Sequence, residues 1–176
     1  FMQQQVPEMS DSQYIDYLAK NLDTPQKLHL FFELFMRYVY DDPKKARADH
    51  YTPNLGGTDY WQLATETIHR VKEGKMLGDC DDYAFLAKDI LRRQGKTAYV
   101  QGIPSHAICI WFEKRPDGRW DGYSLCTFGH DKNGNRYGMP VDPDKEKGYP
   151  TLEVALNSLM PKYDRLGIGV DRAINY

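Results

Sequence analysis

Cys80 stands in Gly78-Asp79-Cys80-Asp81-Asp82-Tyr83-Ala84, a stretch that reads as a loop delivering a thiol into the first turn of a helix. Asp79 is an N-cap residue, because its carboxylate can accept a backbone N–H that the helix leaves unpaired. Cys80 then falls at the first helical position, where the positive end of the helix favours a thiolate. Cys80, Ala84, Ala87 and Leu91 recur at helical spacing, so the thiol lies on the core-facing stripe. The small alanines let that helix approach a sheet closely. Arg92 and Arg93 suit the negative C-terminal end, and Gly95 is a natural stop. A lone cysteine is more often a small buried apolar residue than a nucleophile, so chemistry at Cys80 depends on a partner.

Twenty-six residues after Cys80 comes His106, in Ser105-His106-Ala107-Ile108-Cys109-Ile110-Trp111-Phe112-Glu113. Between the two lies Thr97-Ala98-Tyr99-Val100-Gln101-Gly102-Ile103. Both stretches are β-branched and aromatic enough to be strands. The order is therefore a cysteine at a helix N-terminus, a strand, and a histidine at the start of the next strand. A helix packed across the sheet can bring the two side chains together. The histidine can then take the thiol proton and return it to a leaving group. The bland alternative for His106 is a polar residue on the sheet rim.

These residues resemble the transglutaminase-like superfamily, nearest to the bacterial transglutaminase-like cysteine proteases, the LapG-like proteins. The resemblance rests on Gly-Asp-Cys80-Asp-Asp-Tyr-Ala, the Leu-Arg-Arg-Gln-Gly helix end, His106-Ala with its aromatic strand, and Tyr60-Trp61-Gln62 with Glu66-Thr67 upstream. It covers about residues 58–129. It implies an α+β, papain/transglutaminase-like fold, with a nucleophile helix against an antiparallel β-sheet and helices N-terminal to it. It also implies cysteine-dependent hydrolysis of an amide bond in a protein or peptide substrate. Acyl transfer to an amine shares the first half of that reaction, and a non-catalytic binding module can retain the fold.

The chain departs from the family at the third catalytic position. An acid is expected on the strand after the histidine strand, in a pattern like Gly-Trp-x-x-x-Asp. Here the stretch is Asp121-Gly122-Tyr123-Ser124-Leu125-Cys126-Thr127, and matching the Gly-aromatic pair puts Thr127 in that slot. Pro116-Asp117-Gly118-Arg119 reads as a tight hairpin turn in which Pro116 faces Arg119. That register sets Asp121 opposite Lys114, Cys109 opposite Cys126, and His106 near Thr127 and Gly129. Thr127 is then the candidate to orient the imidazole, with Asp131 or a missing third member as alternatives.

No cofactor is required by a Cys–His mechanism. The resemblance nevertheless implies calcium, since LapG-like proteases depend on it and hold it with acidic residues beside the cysteine. Asp79 and Asp81 are the corresponding candidates, with the carboxylate oxygens that calcium takes. Asp79 and Asp82 also have a purely structural explanation, as residues that satisfy backbone donors at the helix start. No Cys or His pair has the spacing of a zinc site.

The elements that must position these groups are legible in outline. Ser10 or Asp11 caps a helix through about Asn21, with Tyr14, Tyr17 and Leu18 on one face. Thr24-Pro25 starts a second helix, expected to run through Leu28, Phe31, Phe32, Leu34, Phe35, Tyr38 and Val39. Residues 43–58 read as a loop. Thr58 or Asp59 starts a helix through about Glu73, with Trp61, Leu63, Ala64, Ile68 and Val71 inward. Thr151 caps a helix through about Leu159, and Gly167–Asp171 is expected as an edge strand.

Length and composition fit one domain over residues 1–176, with residues 1–9 as a loose arm. The 41% hydrophobic and 13% aromatic content can build a packed core. A net charge of −2 argues against general nucleic-acid binding, and no apolar run is long enough to insert across a membrane. Three cysteines do not make a disulfide scaffold. The chain opens on Phe1 rather than Met, so a leader can precede it, and an exported or periplasmic compartment is the expectation. Oligomeric state is not readable.

Overall fold

The helix that carries Cys80 forms where capping and periodicity place it. α4 (Cys80–Arg93) has Asp79 at its N-cap and buries Ala84, Leu86, Ala87, Ile90 and Leu91. It stops at Gly95, whose φ of 77° is the left-handed conformation that closes helices. The computed structural model describes residues 9–40, 62–103, 106–125 and 148–155, with residues 103 and 106 described by their backbone. Along that chain the order is α1 (Asp11–Asn21), α2 (Pro25–Phe35), β1 (Met36–Tyr38), α3 (Ala64–His69), β2 (Val71–Lys72), β3 (Lys75–Gly78), α4, β4 (Thr97–Ile103), β5 (His106–Lys114) and β6 (Trp120–Leu125). The fold is α+β. No described helix is long and apolar enough to cross a membrane.

The larger sheet is antiparallel with strand order β4-β5-β6, and α4 packs on β4 and β5. Ala98, Val100, Ala107, Cys109, Trp111, Tyr123 and Leu125 share one core with α4. Ile108, Ile110 and Phe112, alternating with them, are buried as well, so β5 is covered on both faces. The chain turns at residues 94–96, and Arg92 Nε donates to the Ala98 carbonyl at 3.0 Å, which ties the end of α4 to the start of β4. β4 then returns along the helix. Fourteen helical residues and seven strand residues both span roughly 20 Å. The end of β4 and the start of β5 therefore come back to the end of the layer where α4 begins.

The hairpin between β5 and β6 differs from the sequence expectation by one residue. Arg115 and Arg119 close it, with Arg115 N–H donating to the Arg119 carbonyl at 2.7 Å and Gly118 N–H to the Arg115 carbonyl at 2.9 Å. The loop is three residues, 116–118, and Gly118 takes φ of 84°, the arrangement of a type I turn followed by a left-handed glycine. Asp121 therefore opposes Glu113 rather than Lys114, and Cys109 opposes Leu125 rather than Cys126. The expected facing of the two cysteines is not made. Thr127, Gly129 and Asp131 lie outside the described residues, as does Cys126.

The N-terminal elements also differ in part. Ser10 caps α1 in a reciprocal box with Gln13, but the buried face is Ile15, Leu18 and Ala19, and Tyr17 is exposed. Thr24 caps α2 as expected, accepting from Lys27 N–H at 3.2 Å. α2 ends at Phe35, however, and Met36–Tyr38 is a strand that pairs parallel with β3, Tyr38 opposite Gly78. Leu34 and Phe35 are about half exposed rather than core. The helix expected from residue 58 begins, within the described residues, only at Ala64, and Leu63 and Val71 are exposed. Val71 instead opens the β2–β3 hairpin, which turns at Glu73-Gly74 with φ of 53° and 75°. Thr151 caps the start of a helix over 152–155, accepting from Val154 N–H at 3.1 Å. The expected arm over residues 1–9, apart from Met9, the loop at 43–58 and the strand at 167–171 lie outside the described residues.

Candidate active site around Cys80

Two short connections aim Cys80. β3 ends at Gly78, one residue supplies the N-cap, and α4 begins at once with the cysteine. Gly78 has no room for a side chain, because a Cβ there would lie 2.6 Å from both Cβ and Oδ2 of Asp82. The glycine of the Gly-Asp-Cys run is thus a packing requirement imposed from the first turn of α4.

Asp82 is the reason for that crowding. Its side chain is fully buried. Oδ1 accepts from Gln62 N–H at 2.9 Å, and Oδ2 accepts from Asp79 N–H at 3.0 Å and from the Gln62 side-chain amide. The Asp79 bond is the half of a capping box that runs from the third helical residue back to the N-cap. One carboxylate therefore fastens the first turn of α4 to its own N-cap residue and to the segment that leads into α3. Burial pushes the Asp82 carboxyl above its ordinary value, against the lowering effect of those hydrogen bonds.

Cys80 itself is half-buried. Across from it, on β1, the Tyr38 hydroxyl hydrogen-bonds the Cys80 side chain. Parallel pairing places Tyr38 level with Gly78, two residues before the cysteine, and Val39 N–H donates to the Gly78 carbonyl at 2.9 Å. The Tyr38 ring contacts Tyr83 of α4, centroids 6.3 Å apart, and the largely exposed Tyr40, at 5.2 Å. Burial, and after it the neighbouring Cys80 and Asp79 side chains, raises the Tyr38 pKa far above that of a free phenol. Tyr38 thus remains an O–H donor at any physiological pH.

Asp79 and Asp81 flank the thiol and are both buried, and the three side chains offer ligand atoms within 4.8 Å of one another. Cys109, by contrast, has no exposed surface, and burial pushes its thiol well above the ordinary range. Asp121 is held at the far end of the β5–β6 ribbon by a two-pronged pair with Arg115, Nε to Oδ2 at 3.0 Å and Nη2 to Oδ1 at 2.9 Å. It opposes residue 113, about 23 Å of strand from residue 106.

His106 is the first residue of β5, opposite Ile103, at the end of the layer where α4 starts. Its imidazole and Thr127 lie outside what the structure describes. Sequence reasoning missed Tyr38 and the structural role of Gln62. Met36-Arg37-Tyr38 carries a strand's alternation, with Met36 buried and Arg37 exposed, but it follows an apolar helix without a break. No family model matches this chain, and no curated protein and no solved structure matches it significantly.

Proposed function

We propose that this chain is a cysteine-dependent amide hydrolase of transglutaminase-like, papain-like type, acting on a protein or peptide. The observation that supports it most is a half-buried thiol at the first position of a fourteen-residue helix, hydrogen-bonded by a tyrosine. The strand that begins with His106 starts at that same end. In this reading Cys80 Sγ attacks the substrate carbonyl and its proton passes to His106. The N–H of Cys80, at the first position of α4 and beside the attacking sulfur, donates to the developing oxyanion. The tetrahedral adduct collapses as His106 gives its proton to the departing amine, leaving a thioester on Cys80. Water, deprotonated by His106, hydrolyses the thioester and frees the thiol. Thr127 is proposed to orient the imidazole.

Iodoacetamide labelling with peptide mass spectrometry tests the nucleophile. Cys80 is expected to be modified first, because Cys109 is fully buried without an activating helix end. Modification of Cys109 or Cys126 ahead of Cys80 in the folded protein would reject the assignment.

Calcium at Asp79 and Asp81 belongs to the same proposal. Two buried carboxylates offer oxygen donors of the kind calcium takes, but at most four of its usual six to eight or so, so other groups must complete the shell. A bound ion would supply positive charge that fixes the loop ahead of α4. Titration calorimetry on chelator-treated protein is expected to show heat with calcium chloride, and the thermal unfolding midpoint is expected to rise. No heat and an unmoved midpoint would leave these aspartates with a structural role alone.

A further inference from the structure

We propose that the Tyr38 hydroxyl is a second oxyanion donor, completing with the Cys80 N–H the pair that stabilises the tetrahedral adduct; this rests on the hydrolase reading above. The argument starts from the hydrogen bond between Tyr38 and Cys80. A donor already in contact with the attacking sulfur is close to the carbonyl oxygen once the carbon–sulfur bond forms, because that oxygen is only one bond from the attacked carbon. Moving the hydrogen bond from sulfur to oxygen needs a rotation of the hydroxyl and a small adjustment of the ring. The transfer occurs as charge moves the same way, from sulfur to oxygen, so the donor binds the transition state more tightly than the resting enzyme.

The framework around Tyr38 suits a fixed donor. Its backbone is registered to Gly78 by the β1–β3 pairing, and its ring packs against the buried Tyr83. Tyr83 belongs to α4 itself, three residues after the nucleophile, so phenol and thiol are referenced to one rigid element. A phenol in this place contributes a proton in a hydrogen bond without contributing a charge.

The test compares two reactions at the same sulfur. With 4-nitrophenyl acetate, the sulfur–acyl bond forms, the acyl–oxygen bond breaks, and 4-nitrophenolate leaves with the electron pair, while the thiol proton passes through His106 to solvent. That reaction passes through an oxyanion. With iodoacetamide, sulfur displaces iodide and no oxyanion forms. Tyr38→Phe keeps the ring and is expected to slow acetylation of Cys80 about a hundredfold, with alkylation changed less than about threefold. Replacing Tyr38 with 4-aminophenylalanine, which restores a donor at the same position, is expected to recover at least about a tenth of the lost rate. Equal falls in both reactions would overturn the proposal, since Tyr38 would then act only through the thiol. An unchanged acetylation rate in Tyr38→Phe would overturn it too. Absence of any acetylation at Cys80 in the unaltered protein would instead reject the hydrolase reading itself. The unfolding midpoint of each variant verifies that a changed rate is not lost fold.

Discussion

Cys80→Ala is expected to abolish acetylation by 4-nitrophenyl acetate, and His106→Ala to slow it at least about a hundredfold, the lower end of what a positioned general base supplies. Asp121→Asn is expected to leave the rate per folded molecule within about twofold. The contrast follows from the ribbon. Asp121 grips Arg115 with both oxygens beside the turn, opposite residue 113. An orienting acid must hydrogen-bond the imidazole to hold its tautomer and stabilise its cation. From about 23 Å along the strand Asp121 cannot. Thr127→Val is expected to lower the rate if its hydroxyl is the orienter. Each variant is compared at matched folded fraction, because Asp121→Asn also removes the Arg115 pair. A folded Asp121→Asn protein as slow as His106→Ala would reject this placement of the triad. Full activity in folded Cys80→Ala would reject thiol chemistry and favour a binding module.

The parts of this arrangement that are legible in sequence are those encoded locally. Asp79, the Cys80-Ala84-Ala87-Leu91 stripe, the paired arginines and Gly95 all act within one segment, and α4 occupies it. β4 likewise follows from seven consecutive residues with strand composition. What is not legible depends on pairing between distant segments. Nothing near Tyr38 announces that β3, nearly forty residues later, offers a parallel partner. The aromatic run after Phe35 therefore reads as more helix, and the residue that touches the nucleophile is taken for core. The hairpin fails for a different reason. Asp117-Gly118 suits a two-residue turn, and it also suits a three-residue loop with the glycine in the left-handed position. The choice moves every pairing by one residue and exchanges the faces, which is why Leu125 and not Cys126 opposes Cys109. Asp82 was legible as a capping residue, but its bonds to Gln62 cross twenty positions of sequence and have no local signal.

Asp82→Ala is expected to destabilise the protein by about 3–5 kcal/mol, a large part of the 5–15 kcal/mol or so that holds a typical domain together. The side chain is fully buried, and three donors converge on it: Gln62 N–H, the Gln62 side-chain amide and Asp79 N–H. Truncation leaves those donors facing an apolar gap, each at a cost of about 1–3 kcal/mol. The full sum is not reached, because alanine also removes a buried carboxyl whose ionised form is penalised by its surroundings, as its raised pKa records. Asp82→Asn keeps the shape and one acceptor but turns an N–H₂ group toward donors, so a smaller loss, about half that of alanine, is expected. Urea unfolding with an unchanged slope is the measurement. The functional consequence is local as well as global. The three donors belong to the segment before α3 and to the N-cap of α4, so their release frees the loop that aims Cys80. Iodoacetamide should then lose its preference for Cys80 over the other thiols at denaturant concentrations that leave the unaltered protein folded. A midpoint shift equivalent to less than about 0.5 kcal/mol in Asp82→Ala would show that the hydrogen bonds converging on this carboxylate do not hold the site together.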